Sequence, residues 1–294
     1  MVEQPTFGRR MFIAGNIVFL TALSLLCLLP VIHVLAVSFS SSTAVNAGTV
    51  GLRPVDFSLK AYEFVLQKEA FAKSFAKSVQ RVLLGASLNM TMIVLAAYPL
   101  SKEAGALRYR TVYAWFFVLT ILFNGGLVPS YLTVKMTGLL DTIWVLLIPT
   151  AVPVFSVVLL LNFFRGLPKE LEEAAFIDGA GHLTTLLRIY IPLSMPAMAA
   201  LSLFSVVMHW NSWFDGLIYM NRSENYPLQS YLQTFIIQQD MNAVTEKEVV
   251  LMKELSDRSI KSAQIILATL PILFLYPFLQ KYFMQGIVPG SVKE

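Results

Sequence analysis

Few residues in this chain are of the types that do covalent chemistry. Its three histidines, His33, His182 and His209, are scattered, and no H-E-x-x-H or comparable metal-ligand spacing accompanies them. Cys27 is the lone cysteine. It lies in an apolar run, without a partner for an intrachain disulfide or a C-x-x-C metal site. No G-x-x-x-x-G-K-[ST] phosphate loop and no G-x-S-x-G elbow occurs. These observations argue against an enzyme active site and against nucleotide hydrolysis by this chain. Two stretches do place polar groups at meaningful spacing: 173–196, EAAFIDGAGHLTTLLRIYIPLSMP, and 209–215, HWNSWFD.

The first stretch is a polar interruption between apolar runs. Leu167-Pro168 precedes Lys169, Glu170, Glu172 and Glu173, and proline at a first helical position followed by carboxylates is a helix start. The pattern predicts a short helix over about 168–177. Gly179-Ala180-Gly181 then breaks it, because glycine adopts backbone angles that a continuing helix does not use. In a second short helix, Leu183, Leu186, Leu187 and Tyr190 fall at i, i+3, i+4 and i+7, one apolar stripe. Pro192 and Pro196 mark entry into the next apolar run. Two short helices at an angle form a docking knob for a soluble partner; an ordinary loop with some helix is the plainer alternative.

The elements around these stretches are those of an integral membrane protein. Of 294 residues 56% are hydrophobic and 14% charged, against roughly 25% charged in ordinary soluble domains. The net charge of +4 is spread among loops, which fits membrane topology and not a nucleic-acid footprint. The expected fold is all-α: a single transmembrane domain, 1–294, with six spans at about 11–37, 78–100, 111–127, 141–164, 193–220 and 262–283. Arg9-Arg10 before an apolar run has the look of a secretory signal, but the run far exceeds a signal's 7–15 apolar residues. It reads as an uncleaved first span. The short loops bearing Arg9-Arg10, Lys102/Arg108/Arg110 and Arg165/Lys169 fall on one side, which the positive-inside rule makes cytoplasmic; both termini then lie inside.

The two long polar loops, 38–77 and 221–261, fall outside, with helical character over 59–76 and 246–255. Arg81, near the outer end of the second span, is expected to snorkel to the interface. Residues 124–129, Asn-Gly-Gly-Leu-Val-Pro, end the third span. They read either as a gate or pathway element or as a turn before a short interfacial helix, 130–136. Pro149 and Pro153 are expected to kink the fourth span. The cluster His209, Trp210, Asn211, Trp213 and Asp215 sits in the outer half of the fifth. One reading is an interfacial aromatic belt with a solvated carboxylate. The other is a pathway lining for a sugar, which stacks on aromatic faces and hydrogen-bonds to amides and carboxylates.

Residues 173–192 resemble the EAA signature of ATP-binding-cassette (ABC) importer permeases: Glu173-Ala174-Ala175, three residues, Gly179, nine residues, Ile189, then Ile191-Pro192. Asp178 before Gly179 also fits, and Ile191 stands where that family usually has leucine. The Trp-Asn-x-Trp pattern and the carboxyl end resemble sugar-importer permeases, and Asn124-Gly125-Gly126-Leu127 resembles the branch handling longer or acidic oligosaccharides such as alginate. The resemblance implies a type I permease fold in which 165–192 is a coupling loop docking into an ATPase subunit through Glu173, Ala174, Ala175, Asp178, Gly179, Ile189 and Pro192. It also implies a second permease subunit, two ATP-binding subunits carrying ATP and Mg, a periplasmic or extracellular solute-binding protein, and a carbohydrate substrate. Asn124, Trp210, Asn211, Trp213 and Asp215 are then candidate pathway residues. No cofactor, metal or nucleic acid is expected on this chain, whose membrane is the bacterial inner one. A bulky residue at Gly179 is expected to fill the turn and uncouple hydrolysis from uptake. The rival readings are an ATP-independent secondary transporter or channel, which needs paired broken helices and midplane charges, and a membrane scaffold with a binding knob.

Overall fold

A computed structural model describes residues 7–103, 105, 107–237 and 256–286. Among these the regular elements are helical, with one isolated antiparallel bridge between Ser40 and Phe57. The expected helix over 246–255 and the tail 287–294 lie outside the described residues. Contacts divide the chain into two units, 1–69 with 238–270, and 70–237 with 271–294.

In the first unit, α1 (Phe7–Ser38) is apolar on all sides, and burial begins only in its last turn, at Ala36, Val37 and Ser38. A helix apolar all round is a membrane span. Beyond it, Ser41 caps the short α2 (Ser42–Asn46) by accepting from Ala44 N, and Val37, Ala44, Val45 and Val50 form a small core. Phe39 stacks on Phe57 and Tyr62, beside α3 (Lys60–Gln67). The helical character expected over 59–76 is therefore split: extended backbone at Lys68 separates α3 from the next helix.

That helix, α4 (Glu69–Ser101), starts nine residues before the expected span and organises the second unit. Its buried face is one stripe in two chemical halves. Ser74, Ser78, Arg81, Gly85 and Asn89 come first, then Ile93, Val94, Ala97 and Leu100. The spacing of three or four residues keeps them on one face. The apolar half packs on Val157, Leu160, Leu161 and Phe164 of α7 (Val154–Arg165) and on Leu186, Tyr190 and Leu201. In the polar half, the Asn89 amide donates to Gly85 O (3.1 Å) and Thr150 O (3.2 Å) and accepts from Ser205 Oγ (3.2 Å). Ser78 Oγ accepts from Leu228 N at 2.7 Å. The His209 imidazole lies so close to Gly85 that a Cβ there would collide with it.

Three expected spans are broken: the third at 124–129 and the fourth at its prolines, where breaks were expected, and the fifth, which the sequence reading ran straight. α5 (Arg110–Leu122) stops before Asn124-Gly125-Gly126, and α6 (Leu127–Met136) leaves at 115°. Gly126 at φ +84° makes that turn, so the interfacial helix begins three residues before 130. The fourth span, expected from 141, becomes α-helical only at Val154. Before it lie two 3-10 turns, Ile143–Leu146 and Ile148–Thr150, bent 49° from α7. Pro149 and Pro153 have no N–H to give to a continuing α-helix. Asp141 itself stands at φ +59°, accepting from Asn225 Nδ2 at 3.0 Å and Asn221 N at 3.2 Å. The fifth expected span is α11 (Met195–Asn211), a break at Ser212-Trp213, and the short α12 (Phe214–Tyr219). After α13 (Leu228–Ile237), the last helix, α14 (Asp257–Gly286), runs beyond 262–283 at both ends. Among the described residues, three helices are long and apolar enough to cross a membrane, and three bent pairs bring the crossings to as many as six if each pair counts as one.

Candidate functional site

The EAA stretch folds as two short helices meeting at a glycine. α8 (Lys169–Ile177) has Glu170 and Glu172 in its first turn, where carboxylates suit the helix dipole. It ends in a Schellman motif: Gly179 N donates to Phe176 O (3.0 Å) and Ala180 N to Ala175 O (2.9 Å), with Gly179 at φ +80°. After Gly181 the chain enters α9 (His182–Thr185), widens into a π-helical turn over Leu186–Tyr190, and continues through α10 (Ile191–Leu193). The π turn redistributes the expected apolar stripe. Leu186 and Tyr190 are buried, but Leu183 and Leu187 are 67% and 55% exposed. The i→i+5 bonding of a π turn rotates the side chains that follow out of the 3.6-residue register that the spacing assumed.

The knob is fastened by residues to which the sequence reading gave other roles. Glu172 Oε1 accepts from Lys102 Nζ, and Glu172 Oε2 from Tyr190 Oη, each at 2.6 Å. The Lys102 ammonium lies 3.9 Å from the Tyr98 ring centroid and 4.1 Å from that of Tyr190, within cation–π reach. Tyr98, Tyr190 and Phe164 pack edge to face on one another, and Tyr98 Oη is 3.3 Å from His182 Nδ1. Burial opposes the charge on Glu172, but the Lys102 and Tyr190 hydrogen bonds outweigh it and hold the carboxyl below its usual range. Burial also draws the Lys102 ammonium below its usual range, although Glu172 works in the opposite direction. The Glu172 contribution is present above the ordinary carboxylate pKa and is lost as pH falls through the lowered one.

The short basic loop does more than set topology. Arg110 Nη1 donates to Lys102 O at 2.8 Å, and Arg165 Nη2 to Leu100 O at 3.2 Å. Both satisfy carbonyls at or just beyond the C-terminus of α4, where cations suit the dipole. Lys169 pairs with Glu103 in an exposed contact. Of the EAA residues, Ala175 is buried and Ile189 packs on the core cluster, while Glu173, Ala174, Asp178 and Gly179 face outward, as does Pro192.

More than three turns into α4 from Glu69, Arg81 does not snorkel. It is 1% exposed and forms a forked ion pair with Asp215, with Nη1 3.1 Å from Oδ1. Asp215 Oδ1 also accepts from Ser212 Oγ and Gly216 N, each at 2.9 Å. Trp210 is buried, its ring edge to face with Phe75. Asn211 and Trp213 are exposed. Asn124 is exposed on the break after α5, where its Oδ1 accepts from Gly126 N at 2.9 Å. The structure therefore joins Arg81, Ser212 and Asp215 in one ionic cluster and leaves Asn124, Asn211 and Trp213 facing outward.

Over residues 78–288 the chain matches the family described as binding-protein-dependent transport system inner membrane components, and it belongs to that family. It is 38% identical over 275 residues to the polygalacturonan/rhamnogalacturonan transport system permease protein YtcP of Bacillus subtilis (strain 168), covering 94% of this chain and 96% of that one. It is 37% identical over 288 residues to protein LplC of the same organism, covering 98% and 97%. Among solved structures, it superposes with a TM-score of 0.88 on a chain of a bacterial ABC transporter involved in the import of the acidic polysaccharide alginate. That chain is 34% identical, with 96% of this chain and all of that one covered. The fold is that of a type I ABC importer permease, and the chain is a multi-pass membrane component.

Proposed function

We propose that this chain is one of two dissimilar permease subunits through which an ATP-driven importer passes an acidic oligosaccharide across the bacterial inner membrane. The observation that carries the importer reading is the knob itself. Its two helices are pinned to the inner end of α4 through Glu172, yet Ile177, Leu183 and Leu187 are left exposed, an apolar face suited to an ATPase cleft. The acidic substrate class is supported by similarity to proteins named for polygalacturonan and alginate. Two ATP-binding subunits supply ATP and Mg, and a solute-binding protein delivers the sugar at the outer face. Both termini lie in the cytoplasm. Asn124, Asn211 and Trp213 are the pathway candidates open to a passing sugar. Closure of the ATPase dimer shifts the permease between inward- and outward-facing states because it binds them with different affinity.

The test is reconstitution of the co-purified complex in vesicles with its binding protein and labelled oligosaccharides. ATP-dependent uptake of a uronate oligosaccharide in preference to a neutral one of equal length is expected. Preference for the neutral sugar overturns the substrate class. Uptake by this chain without a nucleotide-binding companion overturns the importer reading in favour of a secondary transporter.

A further inference from the structure

Two ion pairs among the described residues join α8 to the segment that follows α4, and they differ in kind. Lys169–Glu103 is exposed at both side chains, 70% and 72%, and such surface pairs transmit little. Lys102–Glu172 is 9% and 16% exposed, and the same ammonium is held between two tyrosine rings. Three segments converge on the ammonium: the end of α4 through Tyr98, α8 through Glu172, and the π turn through Tyr190, while Arg110 at the start of α5 holds the Lys102 backbone carbonyl. α4 then runs unbroken to Arg81, whose ion pair with Asp215 fixes it to the segment bearing Trp213. From Arg81 to Lys102 the rise is about 31 Å at 1.5 Å per residue, close to the thickness of a bilayer's hydrocarbon core. The two ion pairs are thus separated, along α4 and the residue that follows it, by about the thickness of that core.

Resting on the importer reading, we propose that Lys102 is the positioning residue through which the knob drives α4, so that displacement of α8 reaches the Arg81–Asp215 end as motion of a single rod. The caged ammonium makes the link stiff in more than one direction. Glu172 holds it from α8, while the rings of Tyr98 and Tyr190 hold it from α4 and the π turn. A neutral side chain of the same length fills the space but leaves the Glu172 carboxylate held by Tyr190 alone, so α8 can shift without carrying α4.

The experiment uses the reconstituted complex and reads sugar imported per ATP hydrolysed, with subunit co-purification yield as the check on assembly. Lys102→Met is expected to lower that ratio about tenfold, a typical size for coupling between sites. Lys102→Arg, which keeps a cation for both Glu172 and the rings, is expected to restore it. Tyr190→Phe, which keeps the ring and loses one hydrogen bond, falls between. An unchanged ratio in Lys102→Met overturns the proposal, as does a proportional fall in hydrolysis and import, because either result makes the residue a structural prop. If the wild-type complex imports no uronate oligosaccharide, the substrate reading fails separately. The link is then read from stimulation of ATP hydrolysis by the binding protein, which Lys102→Met must flatten and Lys102→Arg must keep. A chain that purifies with no ATPase overturns the importer reading and the link with it.

Discussion

At Gly179 the backbone stands at φ +80°, and open space surrounds the position a Cβ would take. A bulky residue therefore does not fill the turn, as the sequence reading expected; the cost of substitution lies in the left-handed backbone, about 1–2 kcal/mol for an L-residue. Gly179→Val is accordingly expected to lower both the thermal unfolding midpoint and import per ATP, with Gly179→Asn close to wild type because asparagine tolerates this conformation. Equal losses for the two, measured side by side, would show that the role is not conformational. The EAA stretch was legible in the sequence because its glycine, carboxylates and prolines act within one local run. Lys102 and Glu172 stand 70 residues apart and Arg81 and Asp215 134 apart. Taken singly, Arg81 read as a snorkelling cation and Asp215 as either a solvated carboxylate in an aromatic belt or a sugar ligand. Pairing them required the fold.

α4 shows at the scale of an element what hydropathy alone could and could not supply. Its length and apolarity marked a span, but the division of its buried face into a polar half and an apolar half follows from what α7, α11 and α12 bring against it. Gly85 permits the closest of these approaches, against the His209 ring of α11. Gly85→Ala is expected to force the two helices apart at about 1–3 kcal/mol, the usual cost of overpacking. In a His209→Ala background the same substitution should cost much less, a coupling that a double-mutant cycle in thermal unfolding measures. Additive effects would mean that the ring is not what the new methyl meets. The broken fourth span was half legible. Pro149 and Pro153 signalled a bend, but a uniformly apolar run gave no sign of where the α-helix resumes.

Over the whole molecule, the short basic loops and the long polar ones are expected on opposite membrane faces, and Arg110 and Arg165, from two different short loops, close the end of α4. The expected topology can be checked with the lone cysteine removed as Cys27→Ser. An impermeant maleimide added to intact cells should label a cysteine placed at Gly48 and spare one at Gly105, and inside-out vesicles should reverse the pattern. The same pattern in both preparations would refute the orientation. The ion pair between Arg81 and Asp215 also sets a timetable for the chain's manufacture. A ribosome adding 5–20 residues per second reaches Asp215 roughly 7–27 s after Arg81. Until then the guanidinium lacks its carboxylate, at an insertion cost below the roughly 2.5–3.5 kcal/mol of a bilayer-centre position, because Arg81 is expected near the outer end of its span. α1, apolar on every side, can pass into lipid as soon as it is made. α4 is held to a later schedule, its settled place waiting on a residue not yet translated.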